Sequence, residues 1–286
     1  MPKIGFLVAT SALAVLFLVA LLWFYPSSQD FAPDNPFWNG LEKFVQERDV
    51  KVVSAEAVPE DGVGQVLILV PRGPLSPLEQ ATVQRFVSSG GALMLMDDFG
   101  GGNEIARGLG VEARFSGKPY LDPLVNTKNQ QFPKATFQPQ AGQRAFFTMN
   151  QPTILEGVSP EDVLATSSRF SFLDENGNKR WDSGEPTGPF AVVARVLLGQ
   201  GQVVLVADPS VLTNSMLGQN REFVDWLMKR RTVMLYSGSW SKSPQAEAKQ
   251  ALGNGRDVLA SPLGLAAVLT LSVVLPIFFL GPWKRD

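Results

Sequence analysis

The sequence of 286 residues contains no cysteine and no histidine. Without cysteine the chain can form neither a disulfide nor a thiolate nucleophile. Without histidine it lacks the imidazole base of Ser-His-Asp triads, and zinc sites built on either residue type are excluded as well. The chemistry that remains rests on carboxylate, amide, hydroxyl, amine, guanidinium, phenol and backbone groups, which suit oxygen-liganded cations better than acyl transfer.

A large excess of one charge is also absent, because 25 Lys and Arg stand against 27 Asp and Glu and the net charge is -2. The chain therefore has no global positive field, and we expect no nucleic acid partner. Hydrophobic residues make up 45% of the sequence and charged residues 18%, which is enough to bury a core. This composition excludes wholesale disorder.

The longest apolar runs lie near the two ends, over residues 4–25 and 258–281. A helix of either length can cross a hydrocarbon core of about 30 Å, so the sequence predicts an N-terminal and a C-terminal transmembrane helix. The alternative for the first run is a cleaved signal peptide, but the run is too long and lacks a small-residue cleavage site. The alternative for the second run is a buried core helix.

Basic residues flank both apolar runs, Lys3 at one end and Lys284 with Arg285 at the other. The positive-inside rule then predicts a two-pass protein of the cell membrane, with both termini in the cytoplasm. Residues 27–240 become an extracytoplasmic domain and the membrane an expected partner. Residues 241–257, which are rich in Ser, Gln, Ala and Gly, are predicted to be a linker.

Short strand and helix patterns alternate between the two runs. Residues 65–70 have the pattern of a buried strand, and Ser76, Pro77 and Glu79 have the spacing of a capping box at the start of a helix. Residues 92–96 form a second strand pattern before another helix. Strands that alternate with helices over short connections predict an α/β fold with a parallel sheet.

The later part of the chain is less regular. Residues 111–151, rich in Pro, Gln, Lys and Asn, are predicted to be an insertion with short strands. Residues 191–207 have the pattern of a hairpin that feeds a central strand, and residues 232–236 have that of a last strand.

The most specific local motif runs from Asp174 to Glu185, where oxygen-bearing residues recur at alternate positions. Counted from Asp174, a calcium loop takes its ligands from positions 1, 3, 5, 7, 9 and 12, the seventh through its carbonyl. The predicted calcium ligands are Asp174, Asn176, Asn178, Arg180, Asp182 and Glu185. Position 6 is Lys179 where such loops usually have Gly, and no paired helices flank the segment. The alternative is an ordinary polar turn.

A second group of polar residues follows the ends of predicted strands. These residues are Asp97, Asp98, Asn103 and Asp208, with Gly100–Gly102 beside them. Ligands of open α/β sheets bind outside the carboxyl ends of the strands, so this group is a candidate binding site. A phosphate-cradling turn and an Asp-liganded metal are the functional alternatives, and Asp as a helix N-cap is the structural one.

Several of these elements together resemble a known family. They are Asn35-Pro36 with Asn39-Gly40, Leu75-Ser76-Pro77 with Gly90-Gly91, Asp97-Asp98-Phe99-Gly100, Gly184-Glu185-Pro186 with Gly188-Pro189, and Asp208-Pro209-Ser210. The family that they resemble is prokaryotic and membrane-anchored, and it is described as a domain of unknown function with a class I glutamine-amidotransferase-like fold.

The resemblance implies a three-layer, flavodoxin-like sandwich with a mostly parallel sheet between two transmembrane helices. It also implies membrane-protein partners linked to MoxR-type ATPases. It carries no activity over, because amidotransferases use a Cys nucleophile with a His, and this chain has neither residue.

We therefore expect a non-catalytic, membrane-anchored extracytoplasmic domain that binds a protein partner or a small ligand. In this reading it is an accessory component of a membrane or envelope complex, and calcium is its candidate cofactor. The alternatives are a divalent-metal hydrolase that uses the strand-end aspartates and a purely structural spacer.

Overall fold

The computed structural model describes residues 28–229 and 231–238, together with scattered positions between 10 and 20 and between 251 and 270. Contacts divide the chain into two units, of which Ser28–Ser241 is one. Met1–Ser27 and Lys242–Asp286 make up the other, and only the scattered positions of these segments are described.

Thirteen strands and four helices are described within the unit Ser28–Ser241. The strands are β1 (Lys51–Val53), β2 (Gln65–Leu69), β3 (Ala92–Met96), β4 (Arg114–Phe115), β5 (Tyr120–Leu121), β6 (Lys134–Phe137), β7 (Ala145–Thr148), β8 (Leu155–Glu156), β9 (Val163–Thr166), β10 (Phe172–Leu173), β11 (Ala191–Leu198), β12 (Gly201–Val206) and β13 (Thr232–Tyr236). The helices are α1 (Glu42–Glu47), α2 (Pro77–Ser88), α3 (Asn103–Gly108) and α4 (Arg221–Met228).

Nine of these strands form one sheet in the order β1-β13-β2-β3-β12-β11-β9-β6-β7. The pairings from β1 to β12 are parallel, whereas those from β12 to β7 are antiparallel. Two further pairs, β10 with β5 and β4 with β8, are small antiparallel ribbons. The fold is therefore mixed α/β, with parallel and antiparallel pairs in the same sheet.

The prediction of a mostly parallel sheet is wrong, because half of the sheet is antiparallel. The turn at Gly199 and Gln200 joins β11 directly to β12, and a connection this short can only produce an antiparallel pair. The predicted hairpin at this place is confirmed. The strands β6 and β7, which lie in the segment predicted as an insertion, extend the same sheet.

The central strands of the parallel half, β2 and β3, are buried on both faces, as expected for a sheet covered by helices. Every residue of β3 is buried, and α2 covers β3 and β12 with Val83, Phe86 and Val87. The capping box is confirmed, since the Ser76 hydroxyl accepts the Glu79 N–H at 3.3 Å and the Glu79 carboxylate accepts the Ser76 N–H at 2.8 Å. The capping box could be predicted from the sequence because it depends on residues that are close together in the chain.

Aromatic side chains fill the core beside the antiparallel half. The rings of Phe147 on β7 and Phe223 on α4 stack at 3.7 Å, and Phe137 on β6 meets Phe223 edge-on at 5.4 Å. These side chains belong to the same hydrophobic cluster as the parallel strands. A continuous core therefore holds the two halves of the sheet together.

The expectation of two flanking transmembrane helices is corrected by the structure. Among the described residues no helix is both long enough and apolar enough to cross a membrane. The 12 residues of α2 would extend only about 18 Å, well short of a hydrocarbon core of about 30 Å. Most of residues 4–25 and 258–281 lie outside the described part of the chain.

Three further expectations depended on the transmembrane helices and are corrected with them. They are the two-pass topology with cytoplasmic termini, the placement of the central domain outside the cell membrane, and the membrane with its resident proteins as partners. The predicted linker at 241–257 lies, apart from scattered positions, outside the described residues.

Candidate functional site

The carboxyl ends of β3 and β12 bring three of the predicted site residues to one edge of the sheet. The two strands are parallel neighbours, and Met96 pairs with Val206 at their ends. The chain therefore leaves the sheet on the same side at Asp97, Asp98 and Asp208. This is the edge at which ligands of α/β proteins bind.

Asp97 serves the backbone at this edge. Its side chain is buried, and its two carboxylate oxygens accept the N–H groups of Phe99 at 3.2 Å and Gly102 at 2.9 Å. Gly102 is the N-cap of α3, so Asp97 satisfies donors of the turn that begins this helix. Both oxygens are engaged in holding the loop.

The side chain of Asn103 is also bonded to the backbone. Its side-chain amide donates to the carbonyl of Phe115 at 2.9 Å, and its side-chain oxygen accepts the N–H of Phe115 at 2.8 Å. This pair of hydrogen bonds attaches the start of α3 to β4. Asn103 thus connects α3 to β4 and does not face the cleft edge as a free side chain.

Asp208 is fully buried and bonds to two separate segments. One oxygen accepts the Ser210 N–H at 2.7 Å, and the other accepts the Asn150 N–H at 2.6 Å. Burial raises the pKa of Asp208 to about 7, although the two N–H donors act in the opposite direction. The carboxyl group links the turn after β12 to the segment after β7.

Asp98 differs from its two neighbours because its carboxylate holds no other segment in place, and the backbone N–H that acts on it is its own. Its side chain is partly exposed and lines a cleft of about 260 Å³. Burial raises the pKa of Asp98 to about 8, and the nearby carboxylates of Asp208 and Asp97 raise it further. Asp98 is therefore the strand-edge carboxyl that is available to a ligand.

Aromatic side chains form much of the remaining wall of this cleft. Phe31, Trp38 and Phe99 line it, and Trp38 and Phe99 are 69% and 85% exposed. Large aromatic rings bury well, so such exposure beside a cleft marks a surface for contact. The backbone of Phe31 has a φ of 55°, a strained value for a bulky residue.

Residues near the C-terminal end of the unit hold the loop that carries Trp38 in place. The side-chain amide of Asn214 donates to the carbonyls of Asn35 at 2.8 Å and Phe37 at 2.6 Å. The Ser215 N–H also donates to the Trp38 carbonyl at 3.1 Å. Sequence reasoning missed Trp38 as a site residue, because its approach to Asp98 depends on this long-range contact.

The cleft contains acidic and uncharged groups. The residues that line it are Asp30, Phe31, Trp38, Asn39, Asp98, Phe99, Gly117, Pro119, Asn150, Gln151 and Thr213, and none of them is basic. A second groove of about 560 Å³ lies on the antiparallel half and is lined by Arg144, Trp226 and hydroxyl side chains. The second groove is larger, but only the first lies at the carboxyl ends of the parallel strands.

The predicted calcium loop forms a closed turn in which alternate residues bond inward. The Asp174 carboxylate accepts the Lys179 N–H at 3.0 Å, and the Asn176 side-chain oxygen accepts the Asn178 N–H at 2.9 Å. Lys179 has a φ of 61°, so it adopts the left-handed conformation for which glycine is usual. The departure from the motif at position 6 has therefore not prevented the turn.

The far end of the loop folds back onto its start. Glu185 accepts the N–H groups of Glu175 and Asp182, each at 3.0 Å. No group of three or more acidic side chains able to hold a metal ion is found within the described residues. The three acidic members of the predicted ligand set, Asp174, Asp182 and Glu185, therefore do not converge into such a group in this structure.

One protein family matches the chain by sequence. A family model described as Domain of unknown function (DUF4350) matches residues 33–228. Among curated proteins no match to the chain is found.

Several solved structures are similar to part of the chain at low identity. The mmIFT52 N-terminal domain is 13% identical, with a TM-score of 0.42 over 57% of this chain and 77% of its own. A beta-galactosidase from Bacillus circulans sp. alkalophilus is 17% identical, with a TM-score of 0.33 over 56% of this chain and 23% of its own. The exo-beta-1,4-mannosidase Op5Man5 from Opitutaceae bacterium strain TAV5 is 16% identical, with a TM-score of 0.30 over 56% and 24%. Likenesses at this level carry no statement about function.

Proposed function

We propose, for a chain that belongs to the DUF4350 family of domains of unknown function, that it is a non-catalytic module that binds a small organic cation. The binding site in this proposal is the cleft at the carboxyl ends of β3 and β12. The observation that carries the proposal is the lining of that cleft, where Asp98 lies with Trp38 and Phe99 and no basic side chain is present.

The lining favours a cation over an anion for electrostatic reasons. Asp30 contributes negative charge, and Asp98 does so once it ionises above its pKa of about 8, whereas a phosphate or carboxylate ligand would find no Lys or Arg among the lining residues. Exposed aromatic rings attract ammonium groups through their electron-rich faces. An amine or quaternary ammonium that carries some apolar surface can therefore contact both the acidic and the aromatic side chains of the cleft. The volume of about 260 Å³ suits a small molecule.

The hydrogen bonds at the strand edge favour binding over catalysis. Both oxygens of Asp97 and both oxygens of Asp208 accept backbone N–H groups, so these residues hold the fold together. A hydrolase with a divalent metal would need several carboxylates in the cleft, and of the three strand-end aspartates only Asp98 lines it. The metal hydrolase that the sequence suggested as an alternative thus receives less support than a binding module.

The amidotransferase-like scaffold that the resemblance implies forms part of the same proposal. A parallel half-sheet with a cleft at its carboxyl edge is compatible with such a scaffold. The chain has no Cys and no His, so a scaffold of this kind would retain the cleft without the amidotransferase nucleophile.

Binding can be tested with choline and with 3,3-dimethyl-1-butanol, a neutral molecule of the same shape. We expect calorimetry to detect saturable binding of choline alone, and we expect Asp98→Asn and Trp38→Ala each to weaken it about tenfold. Because a cation prefers the ionised form of Asp98, whose pKa is about 8, the affinity should also rise between pH 6 and pH 9. Equal binding of the neutral molecule, or no binding of either, would overturn the proposal.

A further inference from the structure

We propose that residues 174–185 bind one calcium ion, at a site separate from the cation-binding cleft. The ligands would be the side chains of Asp174, Asn176, Asn178, Asp182 and Glu185 and the carbonyl of Arg180. These positions have the spacing of a calcium loop, in which alternate residues turn toward a hard cation.

An unpaired buried oxygen of Asp174 carries this proposal. The residue is only 3% exposed, and its Oδ1 atom is buried without a hydrogen-bond partner. Its other oxygen, Oδ2, accepts the Lys179 N–H from across the loop at 3.0 Å, which turns the carboxylate toward the inside of the loop. A buried carboxylate oxygen without a partner is costly, and a cation at the centre of the loop would satisfy it.

Two side chains of the loop also bond to Asp182, an exposed residue of the same loop. One oxygen of Asp182 accepts amide N–H groups from Asn176 at 2.7 Å and from Asn178 at 2.6 Å. Side chains from positions 3, 5 and 9 of the calcium register thus already meet at one point.

Glu185 occupies the position from which calcium loops supply a bidentate carboxylate. Its carboxylate crosses the loop and accepts the N–H groups of Glu175 and Asp182, each at 3.0 Å. Binding would require Glu185 and Asp182 to exchange neutral N–H partners for a divalent ion. Over the whole segment, four carboxylates stand against Lys179 and Arg180, so the segment carries a net negative charge that attracts a divalent ion.

The loop is tied to a segment that lines the cation-binding cleft. The Asp174 N–H donates to the Pro119 carbonyl at 3.0 Å, and Lys118 forms an ion pair with Glu175 at 2.7 Å. The strand β10 just before the loop pairs with β5 just after this segment. A bound ion should therefore slow amide hydrogen exchange in β5 and β10.

Trp181 provides a direct optical probe of the site, because it lies inside the loop between two proposed ligands. Terbium, which resembles calcium in size and ligand preference, should show luminescence on excitation of Trp181 in the full-length protein. Added calcium should displace terbium and abolish the signal. Trp181→Phe should lose most of the luminescence and keep the calcium-dependent rise in melting temperature.

Thermal unfolding provides the second measurement. We expect calcium to raise the melting temperature by several degrees relative to chelator, with a half-maximal effect at about 0.1–1 mM. Asp174→Asn and Asp182→Ala should abolish this rise, whereas Asp34→Asn, a matched change at an exposed aspartate outside the loop, should retain it.

Two results would overturn the calcium proposal. One is the absence of both calcium-displaceable luminescence and a calcium-dependent rise in the melting temperature. The other is a rise that persists in Asp182→Ala, a variant whose exposed side chain should not prevent folding. Neither result bears on the cation-binding cleft, which is tested by choline with Asp98 and Trp38 variants.

Discussion

The strand edge and the loop at 174–185 are both rich in acidic residues, but their carboxylates have different partners. At the strand edge, both oxygens of Asp97 and of Asp208 accept N–H groups of the backbone. In the loop, Asp174 is equally buried and keeps one oxygen unpaired. The comparison teaches that a buried carboxylate oxygen without a partner, such as Oδ1 of Asp174, is a stronger indication of a ligand than a cluster of acidic residues.

The largest effect that this comparison predicts is on stability at Asp208. Asp208→Ala leaves the buried N–H of Ser210 and the partly buried N–H of Asn150 without an acceptor, so we expect a loss of about 2–4 kcal/mol in the free energy of unfolding. Urea denaturation measures this loss. Asp97→Ala, which removes the cap of a short turn, should cost about 1 kcal/mol.

Asp208→Asn is the matched control for this prediction. It keeps the shape of the side chain and one acceptor oxygen, so its loss of stability should lie between those of wild type and Asp208→Ala. If Asp208→Ala unfolds at the same urea concentration as wild type, the strand-edge carboxylate is not structural and the contrast with the loop disappears.

The second prediction concerns pH. Burial raises the pKa of Asp98 to about 8 and that of Asp208 to about 7, so between about pH 4 and pH 8 the folded chain holds protons that the unfolded chain has released. Their contribution to stability is therefore fully present in acid and is lost as the pH rises through these values. The pKa of Asp182 in the loop is lowered instead, and its contribution is lost as the pH falls.

Urea midpoints measured from pH 5 to pH 9 distinguish the two regions. We expect the midpoint to fall over this range in wild type and to fall less steeply in Asp98→Asn, because the variant has no proton to release at this position. Asp182→Ala should keep the wild-type slope. An equal slope in Asp98→Asn and wild type would contradict the raised pKa of Asp98.

The smallest expected effect is that of Asp182→Ala in the presence of chelator. The side chain is exposed and holds only the amide groups of two neighbours in the same loop, so the urea midpoint should not change measurably. A large loss without calcium would mean that the loop, like the strand edge, uses its carboxylates to hold the fold.

Local features of the fold were predictable from the sequence. The buried strands β2 and β3, the hairpin of β11 with β12 and the capping box of α2 were all predicted and are confirmed. Each depends on residues close together in the chain. The resemblance to a family described as a domain of unknown function is also confirmed by the match over residues 33–228.

Long-range features were predicted less well. The sheet is half antiparallel, and β13, expected only as a last strand, lies between β1 and β2. The predicted transmembrane helices are not found among the described residues. The cleft wall at Trp38 went unrecognised because Asn214, far away in sequence, holds the Trp38 loop in place.

The sequence by itself determined the chemistry that the chain lacks, the local strands and helix caps, and the calcium-loop spacing of residues 174–185. Only the tertiary structure decided which carboxylates are satisfied. Asp97, Asp98 and Asp208 are the same residue type at similar strand ends, yet two bind backbone N–H groups and one faces the cleft. The difference arises because burial and the direction of distant N–H groups depend on how the segments pack, which residue type alone does not specify.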